Sequence, residues 1–239
     1  AGRGSAQGLK LGSRAFAAGT GIQMPGLGNT PKTKDGAVDL YDKWADSYDE
    51  TLRSWNYPAP GRVAELLKQH RVAGTPALPV LDAGCGTGLS GEALQAAGFA
   101  EVVGTDVSDS SLQLIAQKKP WLYKSTACCD LECSEGPSPF ADKSFSGVIC
   151  VGVLSYVQKF DAVFKEWCRV TAPGGLIVFT HREPLWDGDE HSCKTVAAAM
   201  EGAGSWTQVL CSEPSEYMPN NPDPKESEKR IRYLVYKVN

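Results

Sequence analysis

The residues best placed to do chemistry in this chain are three glycines and the carboxylates on either side of them. The run Val80-Leu81-Asp82-Ala83-Gly84-Cys85-Gly86-Thr87-Gly88 leaves an apolar stretch and enters a helix-compatible one. Glycine there permits positive φ and close approach of a ligand to the backbone, and a helix start offers N–H groups with no intrahelical partner. Spacing narrows the choice of ligand. The dinucleotide fingerprint G-x-G-x-x-G needs glycine at the position held by Leu89, and a Walker loop needs a lysine where none lies between Lys68 and Lys118. What remains is Asp-x-Gly-x-Gly-x-Gly, with a second acid, Asp106, closing the next apolar run, Val102-Val103-Gly104-Thr105. If both runs are neighbouring strands, Asp106 sits at the ligand crevice and can accept from both hydroxyls of a ribose. The competing role is a helix cap, for which Ser108 and Asp109 are better placed.

These residues need strands and helices to position them. Short apolar runs at Pro79–Ala83, Glu101–Thr105, Leu122–Ala127, Ser144–Val151, Leu176–Thr180, Trp206–Cys211 and Arg230–Val238 read as strands. Helical patterns at Leu89–Ala97, Ser111–Lys118, Phe160–Val170 and 192–203 fall between them. The expectation is a Rossmann-like, doubly wound α/β fold: a mostly parallel seven-stranded sheet, helices on both faces, and an antiparallel last strand. Ahead of it, Leu40, Trp44, Tyr48 and Leu52 share one face of a helix; Pro58 and Pro60 break it, and Val63, Leu66 and Leu67 restart a second helix to about residue 72.

Of 239 residues, 42% are hydrophobic, which accommodates one domain with a substantial core. No apolar run is long enough to span a bilayer. Net charge is −4, yet residues 1–34 hold five basic residues (Arg3, Lys10, Arg14, Lys32 and Lys34) and no acid, so the remainder carries −9. The division expected is a glycine-rich basic arm over 1–36 and a domain over 37–239, made of a helical cap (37–75) and a core (76–239). The eight cysteines form no C-x-x-C pair and do not neighbour the three histidines in a zinc spacing, so the reading is buried thiols in a reducing compartment with no metal.

From about residue 38 to 180 the chain resembles the class I S-adenosylmethionine-dependent methyltransferases. The resemblance rests on Leu81-Asp82-Ala83-Gly84-Cys85-Gly86-Thr87-Gly88, on Asp106, on Cys129-Asp130-Leu131 and on Phe145-Ser146-Gly147-Val148-Ile149. Tyr41-Asp42-Lys43-Trp44-Ala45, Tyr48-Asp49 and Pro173-Gly174-Gly175-Leu176 are similar to the Williams–Beuren-region methyltransferase-like branch. The resemblance implies S-adenosylmethionine as cofactor. Asp82 and the turn Gly84, Cys85, Gly86 and Gly88 would hold its methionine part, and Asp106, followed by Val107, its ribose. Asp130 would accept from the adenine amine, with Leu131 flanking the ring. Val151 and Leu154 would line the methyl-donor pocket. Tyr48 would close it, or serve as a core aromatic.

Such a donor needs orientation more than acid–base help, and a base matters only if the acceptor must lose a proton. The candidates are Tyr156 and His181, with Arg182 able to orient an anion or simply to be solvated. Val151-Gly152-Val153-Leu154-Ser155-Tyr156 lacks the Pro-Pro-aromatic signature of amino-directed nucleic-acid enzymes, and no Pro-Cys pair occurs. Together with the acidic body, this argues against nucleic acid as a partner and makes a small molecule or protein the expected acceptor. The alternative is a non-catalytic, methyltransferase-like subunit of a larger organellar assembly. The arm, starting at Ala1 and rich in Arg, Ser and Ala, resembles what remains of an organelle-targeted precursor. The expectations are a chloroplast or mitochondrial location, otherwise cytoplasmic, and an arm docked on a protein partner.

Overall fold

The computed structural model describes residues 47–72, 77–133, 138–188 and 192–239. The proposed arm, Leu40 and Trp44 lie outside these residues. Five strands run parallel: β1 (Val80–Ala83), β2 (Val102–Asp106), β3 (Ser125–Cys128), β4 (Phe145–Cys150) and β5 (Thr171–Arg182). The sheet is completed by β6 (Trp206–Cys211), β7 (Ser215–Glu216) and β8 (Arg230–Val238), in the order β3-β2-β1-β4-β5-β8-β6. β8 is antiparallel to both β5 and β6, and the two-residue β7, an eighth strand absent from the sequence reading, pairs with β8. β1 lies between β2 and β4, so the chain winds outward in both directions from this point. That reversal opens a crevice beyond the carboxyl ends of β1 and β4.

β1 and β4 are buried along their whole length, as strands covered on both faces are, with Asp82 and Ser146 the polar residues in otherwise apolar or small runs. β5 divides the core by period-two alternation. Ile177 and Phe179 face one cluster, with Phe164, Trp167, Trp206 and Tyr236, while Leu176 and Val178 face the other, with Val63, Leu67, Leu94 and Ile149. In the first cluster Trp206 stacks on Tyr236 with ring centroids 4.3 Å apart. Burying one such large apolar side chain is worth roughly 1.5–3 kcal/mol, so this layer is a main support of the sheet.

Two helices precede the sheet, α1 (residues 47–54) and α2 (Ala59–His70), and three fill the crossovers: α3 (Leu89–Ala96), α4 (Asp109–Lys118) and α5 (Phe160–Val170). Three more, α6 (Glu183–Asp187), α7 (Cys193–Gly202) and α8 (Pro224–Ser227), follow β5. α5 buries Phe160, Val163, Phe164, Trp167 and Val170, an i, i+3, i+4, i+7 stripe against the sheet. The far end of α1 is held by a smaller apolar group of Leu52, Trp55 and Met218.

Three boundaries differ most from the sequence reading. Pro60 does not break the helical region; it lies in the first turn of α2, where a missing N–H costs nothing. β3 begins at Ser125, because Leu122 is used in a turn closed by its N–H to the Lys119 carbonyl. β5 runs from Thr171 through Arg182, well beyond Leu176–Thr180. A register shift opposite Phe145 and Gly147 absorbs the Gly174-Gly175 pair, and pairing with β8 carries the strand on through His181↔Arg232 and Arg182↔Ile231.

Candidate active site

The glycine turn is built by alternate positive φ angles: 78° at Gly84, 49° at Gly86 and 97° at Gly88. Its first half is pinned to β2, with Gly84 N and Cys85 N both donating to the Thr105 carbonyl at 2.7 and 2.8 Å. A Cβ at Gly84 would stand 2.6 Å from Val153, and one at Gly88 would stand 2.5 Å from Leu122; at Gly86 no protein atom lies within 4 Å. Gly84 and Gly88 are therefore small because protein packs against them. Gly86 is small and faces open space.

That space belongs to a recess of about 970 Å³, a volume that includes its open mouth. Tyr48, Gly84, Gly86, Asp106, Val107, Asp130, Leu131, Val151 and Tyr156 all line it. Asp106 Oδ2 accepts from Gly86 N at 2.8 Å, and Oδ1 accepts from Ser108 N at 2.9 Å. Ser108 caps α4, its side chain accepting from Ser111 N, so the acid is not needed as a cap. An ionised carboxylate offers about four acceptor positions, and the hydroxyl pair of a ribose is a donor set it can accept. Asp130 likewise takes Glu132 N at 3.0 Å.

Five residues singled out in the sequence do not reach the cavity wall. Asp82 is fully buried behind the turn, where its Oδ2 accepts from Ser90 Oγ and Tyr123 OH, each at 2.7 Å. Burial raises its pKa from 3.8 to about 6, against the lowering effect of those two bonds. Cys85 turns inward with Leu94, Val102 and Tyr123, and burial pushes its thiol up. Gly88 opens α3 from the far side of the turn. Leu154 belongs to the core, at 1% exposure. His181 is a buried residue of β5, its ring 6.1 Å from that of Phe160 and 6.3 Å from that of Trp186. The strand extends past Thr180, and its alternation turns this side chain into the core instead of into a loop.

The wall includes residues that the sequence reading missed: Thr87, Ser108, Ser111, Glu132, Gly152, Val153 and Val157. Most are chain neighbours of residues it did select, and adjacency was the available signal. Glu132 has a structural task as well, since its Oε1 accepts from Gln158 N and Lys159 N at 2.5 and 2.8 Å, just ahead of α5. Above Gly152, the position of an added Cβ lies 2.9 Å from Tyr57 OH and 3.9 Å from Tyr217 OH. The Tyr57 and Tyr217 rings meet edge to face at 5.3 Å. Burial raises the Tyr48 and Tyr57 pKa values and pushes Tyr217 up to about 12, so these three phenols stay neutral near pH 7. Arg182 ends β5 nearby, its Nε donating to Ser155 Oγ at 2.9 Å.

Residues 81–179 match a family model described as a methyltransferase domain. The chain is 34% identical over 174 residues to methyltransferase-like protein 27 of Homo sapiens, covering 72% of this chain and 69% of that protein. It is 32% identical over 172 residues to a malonyl-[acyl-carrier protein] O-methyltransferase of Erwinia pyrifoliae, covering 71% of this chain and 58% of that enzyme. Among solved structures, a TehB-like S-adenosylmethionine-dependent methyltransferase from Corynebacterium glutamicum has a similar fold. Its TM-score is 0.57 at 17% identity, over 84% of this chain and 99% of that one.

Proposed function

Since the chain belongs to the class I S-adenosylmethionine-dependent methyltransferases, we propose that it methylates a small-molecule acceptor held over Gly152, among the tyrosines of the cavity. The observation that carries this reading is convergence. Residues from the turn after β1, the end of β2, the segment after β3 and the segment after β4 share one recess with Tyr48 of α1.

The residues present fit the cofactor. The space in front of Gly86 is clear of protein atoms, Asp106 presents a carboxylate to the recess, and Val107 and Leu131 supply apolar walls. When bound, S-adenosylmethionine supplies an activated methyl group. In our reading Asp106 accepts the ribose hydroxyls while remaining tied to Gly86 and Ser108. Asp130 accepts from the adenine amine, and Val107 and Leu131 cover the ring. Asp82 works from behind, bracing the turn through Ser90 and Tyr123. Tyr48 closes the recess, and Val151 lies on the same wall.

For the acceptor, Tyr156 is the proton-handling candidate on the cavity wall, and we assign it to orienting the acceptor by a hydrogen bond. The enclosing phenols exclude water and favour a compact, partly apolar molecule. The name of the Erwinia relative specifies a malonyl group carried on an acyl-carrier protein, an acceptor that is compact at its reacting end but protein-bound. The test incubates the protein with methyl-labelled S-adenosylmethionine and separate low-mass and protein fractions of an extract. Label entering the low-mass fraction, and lost with Asp106→Ala, is the expected result. Label confined to protein overturns the small-molecule acceptor.

A further inference from the structure

Tyr48 reaches the cavity from α1, and the near end of that helix is fastened by a compact ion network. Lys119, which follows α4, places Nζ 2.6 Å from Asp49 Oδ2, 2.8 Å from Glu92 Oε1 and 3.0 Å from the Thr87 carbonyl. The contacts to Asp49 and Thr87 are hydrogen bonds, and that to Glu92 is an ion pair. The other Asp49 oxygen accepts from Thr87 Oγ1, and Arg53, one turn further along α1, reaches Glu92 at 2.6 Å. Lys119 and Asp49 are only 17% and 18% exposed. Their pairing is thus less screened than a surface ion pair, which is typically worth about 0–1 kcal/mol.

The network joins α1, the glycine turn, α3 and the end of α4. Two features tie it to the ligand site: Thr87 lies on the cavity wall, and Asp49 directly follows Tyr48. The far end of α1 is held separately by the apolar contacts of Leu52 and Trp55 with Met218. Removing the ammonium therefore loosens the near end of the helix, leaving the Thr87–Asp49 bond and the apolar anchor in place.

We propose that Lys119 is a positioning residue for the donor: by clasping Asp49 to Thr87, it keeps Tyr48 over the glycine turn and slows escape of the bound nucleoside. This rests on the donor site proposed above. Lys119 itself is outside the cavity wall and acts through its neighbours.

The probe is S-adenosylhomocysteine, titrated into the full chain and into Lys119→Met and Asp49→Asn, at a temperature where circular dichroism shows each folded. Both variants should bind about five-fold or more weakly, by the conversion of 1.4 kcal/mol to ten-fold, about 1 kcal/mol. Hydrogen exchange supplies the readout that a purely structural role would not move. Amides of residues 47–54 should gain protection with ligand in the wild type and lose most of that gain in the variants. A wild-type chain that binds no S-adenosylhomocysteine overturns the donor reading and this inference with it. Wild-type binding, with Lys119→Met and Asp49→Asn within five-fold or with ligand-induced protection of α1 unchanged, overturns the clasp alone.

Discussion

Replacing Gly86 with alanine separates ligand binding from folding, and Gly88→Ala is its internal control. At Gly86 the backbone φ is 49° and an added Cβ meets no protein atom within 4 Å. The folding cost is then confined to left-handed strain, about 1–2 kcal/mol. For a domain of this size, that lowers Tm by about 2–8 °C. On the proposed donor site the new methyl group would stand in the donor's space, so affinity for S-adenosylhomocysteine should fall by about ten-fold or more, or about 1.4 kcal/mol. At Gly88 the strain recurs at φ 97°, and the Cβ also stands 2.5 Å from Leu122 Cδ2. Overpacking adds roughly 1–3 kcal/mol, so this variant should lose more Tm. Because Gly88 is off the cavity wall, its affinity should fall less. Thermal unfolding, with calorimetric titration well below both midpoints, measures the two effects. Wild-type affinity in Gly86→Ala, or a larger affinity loss in Gly88→Ala, would refute the assignment of this turn.

Two further predictions concern carboxylates. The native pKa of Asp82, about 6, lies above its ordinary 3.8, so the folded state keeps a proton that the unfolded chain releases between those values. Its contribution to stability is therefore full below pH 4 and is lost as pH rises to 6; at 1.36 kcal/mol per unit, the loss is about 3 kcal/mol. The stability difference between wild type and Asp82→Asn should vary over that window and be flat above it, and parallel curves would show that Asp82 titrates normally. Glu132→Ala leaves the amides of Gln158 and Lys159 without their shared acceptor. Denaturant unfolding should show a loss of about 0.5–2 kcal/mol, as for a helix cap, and an unchanged midpoint would mean that water replaces the carboxylate.

Much of this architecture is legible in local pattern. β1 and β4 stand out as mainly apolar runs, α5 as a stripe from Phe160 to Val170, and the cap at Ser108 as a hydroxyl just before a helix. The placement of Asp106 follows from the same logic, since a strand end beside a glycine turn is a local feature. What escaped is set by partners distant in the chain. His181 reads as a loop residue until β8, some 50 positions later, extends β5 past it. The burial of Asp82 depends on Tyr123, and the environment of Lys119 on Asp49, contacts spanning 41 and 70 positions. No periodicity within a single element encodes such meetings, because they arise only when the sheet order brings the strand ends together.

Calorimetric titration of S-adenosylhomocysteine into the wild-type chain and into Asp106→Ala tests the donor site most directly. Asp106 is the acid that both closes β2 and lines the cavity. Loss of two charge-assisted hydrogen bonds is worth roughly 2–4 kcal/mol, so the expected result is saturable one-to-one binding by the wild type and a dissociation constant about thirty-fold or more higher in the variant. An absence of binding by the wild type, or a change of less than about three-fold in the variant, would contradict the assignment of this cavity as the donor site.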